Sequence, residues 1–149
     1  MEDWLKQVKE DWNKTSDSEW YKSLRTDEKI EELTNNPMSV FHPAVYELIR
    51  KYIPDLTDKR ILLPSSGDNH AAIAFALLGA KVTSADISER QLENASVIAG
   101  KLNLSIDFVC DNTMELSDIE SDAYDFVYTS NGTHSWIPDL DIMYHNISR

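Results

Sequence analysis

With 149 residues, 42% of them apolar, the chain has material for one globular domain with a genuine core and too little for two. Its 14 Lys and Arg against 26 Asp and Glu leave a net charge of −12, a field that repels phosphate backbones and anionic headgroups, so neither nucleic acid nor a membrane surface is an expected partner. The opening MEDWLKQVKEDW lacks the basic start and unbroken apolar run of a signal peptide, and no stretch approaches the roughly 18 apolar residues of a membrane span; the expected location is cytoplasmic.

Trp4, Leu5, Val8 and Trp12 fall on one face of a helix, and the polar stretch NKTSDSE interrupts the pattern before Trp20, Tyr21 and Leu24 resume it. Residues 1–35 are therefore expected to form a cap of loosely joined helices on a domain spanning 36–149. Pro43 suits the first turn of a helix carrying Val45, Leu48, Ile49, Tyr52 and Ile53, which Pro54 ends and which should pack on a sheet.

From Arg60 the elements alternate: RILL, a turn, the apolar AAIAFALLGA, KVTSA, and a helix opened by Ser88. That βαβα rhythm predicts a parallel sheet. Ser88 and Gln91 have the spacing of a capping box, and Leu92, Ala95, Ile98, Ala99 and Leu102 continue as one apolar stripe. Strand-like runs follow at 105–110 (SIDFVC) and 124–129 (YDFVYT), and a last helix holds Leu140, Met143, Tyr144 and Ile147. The expected fold is α/β, a Rossmann-like doubly wound and mostly parallel sheet of four strands with interleaved helices. Cys110 is the only cysteine, which excludes an intrachain disulfide, and within IDFVC it reads as a buried strand residue.

In such a sheet a ligand lies beyond the carboxyl ends of the strands. The first edge, Leu63 to His70, carries small residues that let the backbone turn tightly and approach a ligand. At the second edge Asp86 stands 19 residues past Gly67, close to the spacing at which a carboxylate accepts hydrogen bonds from ribose hydroxyls. The third edge, Asp111-Asn112-Thr113, offers a carboxylate and amides to a purine, and the fourth, Ser130-Asn131-Gly132, is placed to line a reacting centre.

The run ILLPSSGDNHAAIAFALLGAKVTSADIS resembles motifs I and II of class I S-adenosylmethionine-dependent methyltransferases, with FVCDNTMEL and YDFVYTSNGTHSWI as motifs III and IV. It is most similar to a group of small bacterial methyltransferases with a PSSGDN turn, and the likeness covers roughly residues 35–149. The resemblance implies S-adenosyl-L-methionine as cofactor, with Ser65, Gly67 and Asn69 at its methionine part, Asp86 at its ribose, Asp111 and Asn112 at its adenine, and Ile87 and, at the fourth edge, Asn131 as further cofactor-binding residues. It also implies methyl transfer to an unidentified acceptor, a small molecule being favoured.

Two departures from the family pattern stand out. Ser65 and Asn69 occupy positions where glycines are common, and Leu63 one where an acid is common. Such domains also carry seven strands, so the chain is expected to be truncated after the fourth, whose open edge would favour a homodimer or other self-association. Three alternatives remain at this stage: a non-catalytic cofactor-binding fragment, a NAD-dependent oxidoreductase, and a fragment completed by a partner chain.

His134 is the candidate catalytic residue, a general base toward a hydroxyl or amine, with a surface or packing role as the alternative. The four histidines lack metal-site spacing, so no metal is expected. Trp4, Trp12, Trp20 and Tyr21 are either a lid over an apolar acceptor or anchors holding the cap to the core.

Overall fold

The computed structural model describes residues 2–130 and 132–149. Strands β1 (Arg60–Pro64), β2 (Lys81–Asp86), β3 (Ile106–Cys110) and β4 (Phe126–Val127) form one parallel sheet in the order β3-β2-β1-β4. Helices α1 (Glu2–Thr15), α2 (Glu19–Ser23), α3 (Asp27–Asn35) and α4 (Pro43–Tyr52) precede the sheet, while α5 (His70–Leu77), α6 (Glu89–Lys101) and α7 (Leu140–Ile147) are interleaved with or follow its strands.

Strands β1 and β2 lie in the middle of the sheet and are buried along almost their whole length, the apolar run 61–63 of β1 and the small residues 82–85 of β2 lying between two covered faces. Alternate residues of β1 feed opposite layers: Ile61 and Leu63 join a core built with Ile49, Ile73, Phe75 and Ile98 of the helices, whereas Leu62 meets Leu116, Ile119 and Ile147 on the other face. Helices α4, α5 and α6 thus cover one side, and the segment around Leu116 with the end of α7 covers the other.

Phe75 is fully buried at the centre of the larger core, with the rings of Phe41 and Tyr128 centred 4.9 Å and 5.4 Å away. Burying such a side chain contributes about 2–3 kcal/mol, so these three rings tie the entry to α4, α5 and the end of β4 together.

The expectations for β4, α4, β3 and the cap change in detail. Within 124–129 only Phe126 and Val127 form a ladder, against Ile61 and Leu62, although the Asp125 amide still reaches Arg60 O at 2.9 Å and that of Tyr128 reaches Leu62 O at 2.9 Å. Helix α4 buries Ile49 but leaves Leu48 and Tyr52 exposed, so its apolar stripe is only partly used. Cys110 is exposed rather than buried: it is the last residue of β3, an outer strand of the sheet.

The N-terminal helices are docked, not loosely joined. Asn13 Oδ1 accepts from Ser88 Oγ at 2.7 Å and from the Arg90 amide at 3.1 Å, so a side chain of α1 helps cap α6. Lys9 pairs with Glu89 at 2.6 Å and Arg90 with Asp17 at 2.8 Å; these are exposed pairs, each contributing at most about 1 kcal/mol. Among the described residues no helix is long and apolar enough to cross a membrane.

Candidate functional site

The β1–α5 turn is built from three left-handed residues in alternation: Ser65 at φ 52°, Gly67 at φ 57° and Asn69 at φ 63°. Only glycine takes this conformation freely, and Asn tolerates it better than Ser, so the strain falls mainly on Ser65. Hydrogen bonds hold the turn in place. Ser65 Oγ lies 2.7 Å from Thr113 Oγ1, linking the first edge to the third. The Ser66 amide donates to Ala85 O at 3.1 Å, and Ser84 Oγ lies within hydrogen-bonding distance of Ser66 Oγ and Asn69 Oδ1.

Asp86 closes the second edge. It is 7% exposed, and its carboxylate accepts the Gly67 amide at 2.9 Å and the Ser88 amide at 2.8 Å. Burial pushes its pKa above the ordinary aspartate range, while the amides of Ser88, Gly67 and Ile87 pull the other way. The capping box read from Ser88 and Gln91 is therefore half formed: Ser88 Oγ accepts the Gln91 amide at 3.2 Å, but the reciprocal arm belongs to Asp86.

Between these edges and the N-terminal helices lies a cleft of about 420 Å³, within the size range of small-molecule sites. Ser65, Gly67, Asp86, Ile87 and Asn112 all line it, so five of the sequence-predicted residues converge. A Cβ placed on Gly67 would meet nothing within 4 Å, leaving room for a ligand to approach the backbone.

Three of the predicted residues are placed elsewhere. Asn69 is fully buried beneath the turn, where its left-handed backbone sends the side chain inward to donate to Gly67 O at 2.8 Å. Asp111 accepts the amides of Asn112 at 2.7 Å and Asp118 at 2.9 Å, so its carboxylate folds its own loop instead of facing the cleft. His134 is exposed and its Nε2 lies 2.9 Å from Tyr144 Oη, away from the cleft lining. Asn131 lies outside the described residues.

Sequence reasoning missed Gln91 and Trp136 as cleft residues. Gln91 is 2% exposed and brings a buried Nε2 without a hydrogen-bond partner to the cleft wall. Its place at the capping position beside Asp86 was the available signal. Trp136 packs edge-on against Trp12, ring centroids 5.1 Å apart, and closes the cleft from the far end of the chain. Trp4, Trp12, Trp20 and Tyr21 all line the same cleft.

A family model described as a methyltransferase domain matches residues 63–149, more than half of the chain. No curated protein sequence matches. Among solved structures, a candidate S-adenosylmethionine-dependent methyltransferase from Listeria monocytogenes is 27% identical with a TM-score of 0.53, over 68% of this chain and 46% of that one. A candidate methyltransferase of the same kind from Methanococcus maripaludis is 20% identical with a TM-score of 0.64, over 82% of this chain and 57% of that one. The PH0226 protein of Pyrococcus horikoshii is 19% identical with a TM-score of 0.66, over 89% of this chain and 60% of that one, and shares the fold. The chain spans about half the length of such solved proteins. On the family match and the shared fold, the chain belongs to the class I methyltransferases, whose methyl donor is S-adenosyl-L-methionine.

Proposed function

We propose that this chain binds S-adenosyl-L-methionine in the cleft at the carboxyl ends of β1 to β3 and transfers its methyl group to a small-molecule acceptor held against the N-terminal helices. The observation that carries the reading is the meeting of the Ser65–Gly67 turn, the buried Asp86 carboxylate and Asn112 at one cleft in a chain of this family. The donor set suits the cofactor. The Asp86 carboxyl group, held by backbone amides, has acceptor capacity left for a ribose hydroxyl, and the unpartnered Gln91 Nε2 supplies a donor for an oxygen beside it.

When bound, the cofactor supplies a methyl group on a positively charged sulfur, already activated as a leaving group. The protein's share of the work is to hold and align the reactants. The strained turn brings backbone close to the ligand, Asn112 and Thr113 bound it at the third edge, and the rings of α1 and α2 exclude water. Among the described residues lining the cleft there is no histidine, lysine, arginine or cysteine, so an acceptor whose nucleophile already has a free lone pair suits it best.

The proposed site residues are thus Ser65, Gly67, Asp86, Ile87, Gln91 and Asn112, with the cap of residues 1–35 serving as the acceptor wall. The family match sets aside the nicotinamide alternative. Because the chain covers about half of its solved neighbours, the second reading is a module that binds the cofactor without transferring methyl. Amide chemical-shift mapping with S-adenosylhomocysteine tests the site. Shifts at Gly67, Ile87 and Asn112 are expected, and shifts confined to other surfaces would refute the assignment. Turnover of methyl-labelled cofactor against an acceptor library then separates enzyme from binding module.

A further inference from the structure

The aromatic side of the cleft lies beyond the residues assigned to the cofactor. Trp12 meets Trp136 edge to face at 5.1 Å and 77°, and Trp20 meets Tyr21 at 4.7 Å and 85°. T-shaped pairs leave ring faces uncovered by the partner, and Trp20 and Trp136 are 62% and 59% exposed. No lysine, arginine or histidine is among the described residues that line the cleft, whereas the carboxylates of Asp68 and Asp86 are. Their field reaches the aromatic wall: the Tyr21 phenol is held above the ordinary tyrosine range by burial first and by Asp68 and then Asp86 as well.

An anion at the aromatic side of the cleft would lose hydration and find no cationic side chain, while a cation there would find π faces with Asp68 nearby. We propose that the aromatic side of the cleft is a recognition site for a quaternary ammonium ion on an apolar body, the product formed when the lone pair of a neutral tertiary amine takes the methyl group, the S–C bond breaks and the positive charge passes from sulfur to nitrogen, held by Trp12, Trp20, Tyr21 and Trp136 with Asp68 as counter-charge. This deepens the methyltransferase reading and rests on it. It names the acceptor class by charge: amines and their quaternary products are taken, carboxylates and phosphates are refused.

The test is calorimetric titration of the full chain with phenyltrimethylammonium, its uncharged tert-butylbenzene isostere and benzenesulfonate, with S-adenosylmethionine titrated separately into the same samples. The cation is expected to bind about tenfold tighter than the neutral isostere, and the sulfonate to give no binding heat. Trp20→Leu, at an exposed position that should not disturb folding, is expected to weaken the cation about fivefold. Asp68→Asn is expected to erase the preference for the cation over its isostere. Sulfonate binding as tight as the cation, a cation no better than its isostere, or no cation binding would each overturn the inference. If S-adenosylmethionine still binds in that case, only the acceptor class fails; if it does not bind while the cation does, the failure belongs to the methyltransferase reading.

Discussion

The carboxylate of Asp86 accepts the backbone N–H of Gly67 at 2.9 Å, and through that bond the end of β2 holds the turn that follows β1. One residue therefore shapes both edges of the cleft from a buried carboxyl group.

Its burial sets a pH dependence. Burial is the largest influence on Asp86 and raises its folded pKa above the unfolded value, so the native state takes up the proton first. The stability this confers is present in full below the ordinary aspartate range and is lost as pH rises through the raised folded pKa. Melting temperatures of the wild type and Asp86→Asn, measured between neutral pH and the ordinary carboxylate range, should show the wild type gaining on the variant as pH falls. A constant difference would contradict the assignment.

The three left-handed residues of the turn should respond differently to substitution. Ser65→Gly relieves about 1 kcal/mol of backbone strain and loses a hydrogen bond to Thr113 of similar value, so stability should stay within about 0.5 kcal/mol of wild type. Asn69→Gly removes buried bonds to Ser84 and Gly67 that outweigh the smaller strain of an asparagine, a loss of about 2 kcal/mol. Gly67→Ala meets no steric obstacle, so its cost is the backbone term alone, about 1 kcal/mol. Denaturant titrations of the three variants give the ranking.

Docking of α1 depends more on Asn13 than on the exposed ion pairs beside it. Asn13→Ala strips a cap from α6 and leaves Ser88 Oγ and the Arg90 amide without that acceptor, at a local cost of about 1 kcal/mol. Hydrogen exchange should speed up in α1, with β1 and β2 amides unchanged. Uniform acceleration across the sheet would show that the cap and sheet unfold as one unit.

His134 bonds to Tyr144 outside the cleft lining. His134→Ala should therefore change S-adenosylmethionine affinity less than about twofold. A larger loss would return the residue to the binding site.

The sheet was legible because β1 is an apolar run, β2 follows the apolar α5 in a βαβ rhythm, and Ser88 announces α6 within its own turn. The direction of polar side chains was not. Asn69 and Asp111 occupy ligand-edge positions in the chain, yet the left-handed turn at one and the loop amides at the other draw both inward. Docking of the cap was hidden for another reason: Asn13 meets Ser88 and Arg90 from more than seventy residues away, a separation no local pattern encodes. Gln91 was read as a helix cap because its spacing says so; only the position of α6 beside the cleft shows the buried amide it presents.

The most direct test of the central claim is isothermal titration of the purified chain with S-adenosylmethionine, in parallel with a folded Asp86→Ala variant. Saturable one-site binding by the wild type, weakened about tenfold or more in the variant, is the predicted result. A folded wild-type chain that gives no binding heat, or a variant that binds equally well, would contradict the placement of the cofactor at this cleft.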